Sequence, residues 1–87
     1  MFKKSVTIDK DTFYVKDVYI YKNPVFDEDG NIRTYEDTVQ LPREHGKYFK
    51  SIKQHSILED RILILIDYTI GRMDIYDLNL KRLGYLY

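Results

Sequence analysis

The sequence predicts an α+β fold that is mainly β: a small twisted antiparallel sheet or open barrel of about six or seven short strands, with one short helix. Residue usage favours a sheet, because alanine is absent while ten isoleucines and nine tyrosines supply β-prone side chains. Residues 61–68, Arg-Ile-Leu-Ile-Leu-Ile-Asp-Tyr, are apolar at both strand parities and predict a central strand that is buried on both faces. Two turn sequences follow, so residues 61–87 are predicted to form a three-stranded antiparallel meander.

Chain length and composition set the outer limits of the prediction. The 87 residues suffice for one hydrophobic core, so we expect a single domain over residues 1–87. Cysteine is absent, which excludes disulfides and thiolate zinc ligands within this chain. No run of about 18 uncharged apolar residues occurs, and we expect a soluble, cytoplasmic protein without a membrane partner. Fourteen basic and fourteen acidic side chains cancel, so any electrostatic partner must meet a local patch.

The N-terminal part of the chain is predicted to form short strands joined by tight turns. Residues 6–8 alternate apolar and polar, and residues 9–11 supply turn residues before a second strand at residues 12–15. The apolar parity then changes, which predicts a bulge or tight bend near residues 16–17 and a further strand at residues 18–22.

The clearest local signal is a hairpin over residues 25–35, with the turn sequence Asp27-Glu28-Asp29-Gly30-Asn31 at its centre. The turn also matches part of a calcium-binding loop when Gly30 is placed at the sixth position. The first ligand would then be Val25, which has no side-chain oxygen, and the flanking segments predict strands instead of helices. We therefore expect a hairpin turn and no metal site.

The one predicted helix covers residues 43–55 and follows a short extended piece that ends at Pro42. Apolar residues recur within it at helical spacing, and lysines lie on the opposite side at intervals of three. The apolar set is Tyr48, Phe49 and Ile52, and the lysines are Lys47, Lys50 and Lys53.

The same segment contains the candidate nucleic-acid-binding residues Arg43, Lys47, Lys50 and Lys53. With phosphates on these cations and bases stacked on exposed tyrosines, the protein would be a nucleic-acid-binding small β-barrel. The neutral net charge instead favours the interpretation that the lysines are the solvated face of an amphipathic helix.

No motif for catalysis is present in the sequence. His45 and His55 are not spaced to bind one metal ion from a single helical turn, and no glycine-flanked nucleophile elbow occurs. Four scattered glycines cannot form a phosphate-binding loop. We therefore expect a protein that is not an enzyme and uses no cofactor, with a metal-free ribonuclease built from His, Lys and Tyr as an alternative that no motif supports.

The tyrosines supply the strongest functional signal. One small core cannot hold nine phenol rings with every hydroxyl hydrogen-bonded, so several are expected at the surface. Tyr19 and Tyr21 share the strand parity opposite to Ile20 and should face solvent. Exposed tyrosine provides large, rigid contact area and suits a protein interface, although tyrosine is also a good strand former. The candidate protein-binding residues are Tyr19, Tyr21, Tyr35, Tyr85 and Tyr87.

These observations favour a small non-enzymatic protein that docks a tyrosine-rich surface on a protein partner and inhibits or modulates it. Nucleic-acid binding and homodimer formation through the same surface are the alternatives. The small size, the absence of cysteine and the abundance of Lys, Ile, Tyr and Asp resemble accessory proteins of AT-rich bacterial phages and mobile elements. The resemblance is one of composition, and it implies an inhibitor of a host protein.

Overall fold

The computed structural model describes residues 3–58 and 61–87. In chain order its elements are β1 (Ser5–Ile8), β2 (Asp11–Lys16), β3 (Tyr19–Lys22), β4 (Val25–Phe26), β5 (Ile32–Thr34), β6 (Asp37–Gln40), α1 (Arg43–Gly46), β7 (Phe49–Leu58), β8 (Arg61–Tyr68), β9 (Met73–Tyr76) and β10 (Arg82–Leu86). The predicted mainly β fold is confirmed. The described residues contain ten strands, more than the six or seven expected.

The strands form two antiparallel sheets and a separate hairpin. The N-terminal sheet has the order β1-β2-β3-β6, the C-terminal sheet has the order β10-β9-β8-β7, and β4 pairs with β5. The two sheets meet where β1 lies beside β7, and there the amide of Ile52 donates a hydrogen bond of 3.0 Å to the carbonyl of Lys3. The sheets therefore curve around a shared interior, as in an open barrel.

The main hydrophobic core lies between the inner faces of the two sheets. Both sheets contribute fully buried side chains to it, and these side chains alternate with outward-facing residues along each strand. Burying each isoleucine or phenylalanine contributes about 1.5 to 3 kcal/mol to the free energy of folding. The core consists of Ile8, Phe13, Val15, Ile20, Leu41, Ile52, Ile64, Ile66, Tyr68, Tyr76 and Leu80.

Strand β8 is the central strand of the C-terminal half and is buried on both faces, as its sequence predicts. Ile64 and Ile66 are 0% exposed and point into the main core. Leu63 and Leu65 are also buried, but they lie in a second cluster with Ile75 on the opposite face of the sheet. The predicted three-stranded meander over residues 61–87 is present, and β7 adds a fourth strand to it.

The predicted helix over residues 43–55 is wrong beyond its first turn. The helix α1 ends at Gly46, and β7 begins at Phe49. Pairing with β8, in which Ile52 lies opposite Ile66, supplies a ladder and core burial that a short amphipathic helix could not match. A register shift between Phe49 and Ser51 hides the alternating pattern of this strand in the sequence. No helix in the described part of the chain is long and apolar enough to span a membrane.

The parity change near residues 16–17 is explained by a two-residue turn. Val15 lies opposite Ile20 and Lys16 lies opposite Tyr19, so Asp17 and Val18 alone connect β2 to β3. Asp17 has a φ of 57°, in the left-handed region that aspartate tolerates better than most residues. Both strands consequently direct their apolar residues into the core, although the residues differ in parity along the chain.

Three five-residue loops in the structure share one backbone geometry. In each, the first amide donates to the fifth carbonyl, and the fourth amide donates back to the first carbonyl. The fourth residue has a positive φ in all three, which suits glycine and is uncommon for other residues. The loops are residues 27–31, 68–72 and 77–81, with Gly30, Gly71 and Leu80 at the fourth position.

Candidate functional site

A cluster of aromatic side chains lies on the outer surface of the N-terminal sheet. The rings of Tyr19 and Tyr21 are 6.1 Å apart, and the ring of Tyr35 is 5.2 Å from that of Tyr21. On the neighbouring strand Tyr14 contacts Phe26 edge to face, with 5.3 Å between the ring centres. We call these five side chains the aromatic face. Tyr19, Phe26 and Tyr35 are exposed by 37%, 44% and 49%, so the face is open to solvent.

Strand register places these rings side by side. Tyr14 lies directly opposite Tyr21 in the β2–β3 pair, and Lys16 lies opposite Tyr19. The side chains next to them in sequence, Val15 and Ile20, point the other way into the core. Tyr14, Tyr19 and Tyr21 therefore lie on the reverse side of the same strands that build the hydrophobic interior, and the packing of that interior fixes their position.

Phe26 of the hairpin β4–β5 and Tyr35, which follows β5, add the remaining two rings, and Asn23 anchors the hairpin to the sheet. The Asn23 side-chain oxygen accepts a hydrogen bond of 2.9 Å from the amide of Thr12, and its amide group donates to Asp11 Oδ1 at 2.9 Å. Beside Asn23, at the base of the hairpin, Lys22 Nζ and Glu36 Oε2 form an ion pair of 2.9 Å. These contacts hold Phe26 over Tyr14 and Tyr35 beside Tyr21.

The hydroxyl groups of the aromatic face add polar contact points to its apolar area. Partial burial, followed by the proximity of the Tyr35 and Tyr19 phenols and of Asp17, raises the pKa of Tyr21 above its ordinary value. Tyr21 therefore stays neutral at physiological pH and can donate or accept a hydrogen bond. Rigid rings with neutral hydroxyls are typical of contact surfaces in which aromatic side chains dominate binding.

A second aromatic group lies at the C-terminal end of the chain. Tyr85 and Tyr87 are exposed by 51% and 82%, and their ring centres are 5.4 Å apart. The guanidinium of Arg72 lies 4.2 Å from the centre of the Tyr85 ring, and that of Arg82 lies 5.9 Å from it. These cations stack on the ring face through cation–π contacts. No ring contact between described residues joins this group to the aromatic face.

The buried carboxylate of Asp74 positions both arginines. Its Oδ1 accepts hydrogen bonds from Arg72 Nε at 3.1 Å and from Arg82 Nη2 at 3.4 Å. Burial alone would lower the pKa of Arg72, but the hydrogen bond to Asp74 and the negative charge of that carboxylate raise it above its usual value. Burial, reinforced by the charge of Asp74, raises the pKa of Tyr76 to about 12. The group is thus an ordered unit with fixed charges, which suits a structural role.

The structure separates the predicted site residues into groups. Tyr19, Tyr21 and Tyr35 come together in the aromatic face, whereas Tyr85 and Tyr87 form the second group.

The four basic candidates do not share a helical edge, because the predicted helix is wrong beyond Gly46. Arg43 is exposed in α1 and Lys47 lies between α1 and β7, while Lys50 and Lys53 lie on β7 with their Nζ atoms 3.9 and 3.8 Å from Asp67 Oδ2.

Two members of the aromatic face, Tyr14 and Phe26, were not among the predicted site residues. Tyr14 could have been found, because it has the parity opposite to Phe13 and Val15 and must therefore leave the core. Phe26 could not have been placed, since its position depends on how the hairpin β4–β5 folds back over β2. That arrangement depends on the long-range contacts of Asn23, which local sequence patterns do not reveal.

The acidic turn at residues 27–31 acts as a hairpin turn in the structure. Asp27 Oδ1 accepts hydrogen bonds of 2.9 Å from the amides of Asp29 and Asn31, which fixes the loop. Within residues 3–58 and 61–87, no group of three or more His, Cys, Asp or Glu side chains could hold a metal ion.

Comparisons of the chain with protein-family models, with curated proteins and with solved structures gave no match.

Proposed function

We propose that this protein is a non-enzymatic binding protein that docks the aromatic face on a protein partner and thereby inhibits or modulates it. The observation that supports this proposal is the contiguity of five aromatic side chains on one solvent-facing sheet surface. Aromatic residues dominate binding energy at protein interfaces, because they bury large areas with few rotatable bonds.

The surroundings of the aromatic face also favour a protein partner. Charged residues adjoin the aromatic residues along the chain: Glu36, which pairs with Lys22, follows Tyr35, and the exposed carboxylates of Asp27, Glu28 and Asp29 follow Phe26. An apolar centre with a rim of both charges is the usual composition of a transient protein interface. Clefts next to the rings would accept partner side chains, including a groove of about 470 Å³ between Tyr14, Pro24 and Phe26.

Nucleic-acid binding through the aromatic face is the second candidate, since bases stack on exposed tyrosines in many small β-barrels. Two of the lysines that would contact phosphates, Lys50 and Lys53, lie close to the carboxylate of Asp67 instead. The exposed carboxylates at residues 27–29 directly follow Phe26 in the chain and would repel a phosphate backbone that reached them. These charges make a protein partner the stronger proposal.

A photocrosslinking experiment in a lysate of the source organism tests the proposal. A benzophenone amino acid replaces Tyr19 in one sample and Leu83, a residue of β10 that is 42% exposed and belongs to neither aromatic group, in a control. We expect one protein to crosslink at position 19 and not at position 83, with the same yield after nuclease treatment. Loss of the crosslink on nuclease treatment, or equal crosslinking at both positions, would contradict a protein partner on the aromatic face.

The affinity for the crosslinked protein, once purified, gives the quantitative test. We expect Tyr19→Ser/Tyr21→Ser to weaken binding by about a hundredfold, since truncated aromatic hot spots commonly cost 2 kcal/mol or more. Thermal unfolding verifies that this variant folds. Sedimentation of the wild-type protein across a dilution series tests the homodimer: a mass that rises with concentration, and does not rise for the double variant, would assign the face to self-association.

A further inference from the structure

A groove of about 630 Å³ opens at one end of the barrel, between the β2–β3 turn and the segment that joins α1 to β7. Its charged lining residues are Lys4, Lys16, Lys47 and Asp17. The three lysines come from three separate parts of the chain, so no sequence pattern groups them.

The lysines of this groove carry uncompensated positive charge. None of the three forms an ion pair with a described carboxylate, in contrast to Lys22, which is bound to Glu36. Asp17 supplies one negative charge against three positive ones in the lining. The groove is therefore a local cationic site in a chain whose formal net charge is zero.

Close packing fixes the wall of the groove near Gly46. A methyl group at Gly46 would lie 3.0 Å from Cγ1 of Val18, so the helix end and the β2–β3 turn are in tight contact there. Amide-to-carbonyl hydrogen bonds from Leu41 to Val18, 2.7 Å, and from Val15 to Lys4, 2.7 Å, hold neighbouring backbone segments in place. The lysine stems thus project from a rigid rim, which reduces the cost of ordering them on a ligand.

The groove is continuous with the aromatic face. Tyr14 lines the groove and also contacts Phe26, and Lys16 lies opposite Tyr19 in the β2–β3 pair. A partner seated on the rings would therefore reach the lysines without leaving the surface. Its own surface would have to be negative at that point, because burying three lysines that have no ion-pair partner among the described residues against a neutral or basic surface is unfavourable.

We propose that the groove binds the carboxylates of an acidic segment, rich in Asp and Glu, on the protein partner that docks on the aromatic face. This inference rests on the proposed function and specifies the chemistry of that partner. Carboxylates are favoured over a phosphate backbone, because a chain with no net positive charge lacks the extended positive field that nucleic-acid-binding proteins present. A short acidic segment needs only the few cations that line the groove.

Fluorescence anisotropy at low salt tests the groove with two probes, a labelled polyglutamate peptide and a labelled oligodeoxythymidine of similar charge. The test variant is Lys16→Gln/Lys47→Gln. The matched control is Lys10→Gln/Lys81→Gln, which removes the same charge at two exposed lysines outside the groove. We expect polyglutamate to bind the wild type, the test variant to bind about five- to twentyfold more weakly, and the control to stay within about twofold.

The proposal is overturned if polyglutamate does not bind, or if the two variants weaken it equally. It is also overturned in favour of nucleic acid if the oligonucleotide binds more tightly than the peptide and depends on Lys16 and Lys47. Added salt should weaken peptide binding by the wild type more than by the test variant, because the screened charges are those of the groove.

The captured partner separates failure of this inference from failure of the proposed function. If the Tyr19→Ser/Tyr21→Ser variant loses the partner while Lys16→Gln/Lys47→Gln retains full affinity, the aromatic face is a docking site and the acidic-segment inference falls. If neither variant loses affinity, the proposed function itself falls. We expect both variants to weaken the complex, with the lysine variant raising the dissociation rate as well as lowering the association rate.

Discussion

The hydroxyl of Tyr68 donates a hydrogen bond of 2.9 Å to Oδ2 of Asp74. Both side chains are buried, Tyr68 at the end of β8 and Asp74 in the neighbouring strand β9. The other carboxylate oxygen of Asp74 binds Arg72 and Arg82, which reach the surface and stack on Tyr85. One carboxylate thus connects a phenol of the core to the cations of the C-terminal aromatic group. The consequences for stability can be measured.

We expect Asp74→Asn to lower the free energy of unfolding by about 2 to 4 kcal/mol. The amide removes the negative charge that pairs with Arg72 and Arg82, and its oxygen cannot satisfy the arginines and Tyr68 as a carboxylate does. Urea denaturation followed by circular dichroism measures the change.

The matched control for this substitution is Asp67→Asn. Asp67 is 17% exposed at its side chain, and its contacts to Lys50 and Lys53 are long, at 3.9 and 3.8 Å. Such weak, partly solvated pairs contribute less than about 1 kcal/mol. Equal losses of stability in the two variants would contradict a larger contribution from the buried hydrogen bonds of Asp74 than from the partly solvated contacts of Asp67.

Alkaline pH should destabilise the protein through its buried tyrosines. Burial raises the pKa of Tyr76 from 10.0 to about 12, and burial together with hydrogen bonding to Asp74 raises the pKa of Tyr68 further. Between pH 10.0 and about 12, the unfolded state has lost the phenolic proton of Tyr76, whereas the folded state retains it. The stabilisation is complete below pH 10 and is lost as the pH rises through the folded-state pKa, by up to about 1.4 kcal/mol per pH unit for each group.

Denaturant titrations at a series of pH values from 10 to about 12 measure this dependence. We expect Tyr76→Phe to have a shallower decline than the wild type, because phenylalanine has no proton to lose. Parallel curves for the two proteins would contradict a raised pKa at Tyr76.

Leu80 should reverse the usual order of alanine and glycine substitutions. It is buried, yet its φ is 63°, at the loop position where Gly30 and Gly71 stand in the two loops of the same geometry. Both Leu80→Ala and Leu80→Gly lose core packing, at a cost of about 2 to 5 kcal/mol. Glycine relieves the left-handed backbone, so we expect Leu80→Gly to be the more stable of the two by about 1 kcal/mol.

Gly30→Ala is the companion measurement for this backbone effect. No atom lies within 4 Å of a methyl group built at Gly30, whose φ is 83°, so the substitution introduces backbone strain without a clash. We expect it to lower the free energy of unfolding by about 1 kcal/mol. A neutral or stabilising Gly30→Ala would remove the basis for the order expected at Leu80.

The position of β8 between the main core and the second cluster is tested by Ile64→Ala. Ile64 is 0% exposed, and we expect a loss of about 2 to 5 kcal/mol, a large part of the stability of a domain this small. Ile70→Ala, at a loop residue that is 49% exposed, should change stability by less than about 0.5 kcal/mol. Similar effects of the two substitutions would contradict the central position of β8.

Local patterns in the sequence were sufficient for the hairpins and for the central strand. The turn at residues 27–31 has turn-forming side chains between two β-prone arms, and residues 61–68 are apolar at both parities. In each case the information lies within about ten residues, which is the range over which periodicity and turn chemistry act. The outward orientation of Tyr19 and Tyr21 was predicted from the same alternation.

The segment at residues 43–55 shows where local patterns were insufficient. Its apolar residues fit a helical face, but most of the segment belongs to β7, because β8 offers a long ladder and a core position for Ile52. Whether this segment forms a strand or a helix depends on the partner strand β8, which lies outside the segment and does not affect its local pattern.

The sequence by itself determined that this chain forms a mainly β domain with a doubly buried strand near its C-terminal end and tyrosines left for the surface. Only the tertiary structure decided which tyrosines meet in one face, which lysines line a common groove, and that Asp74 is buried among two arginines and a tyrosine. The physical reason is the distance along the chain over which each of these properties acts. Alternation and turn propensity are properties of neighbouring residues, whereas a site is made by strands that pair across the fold.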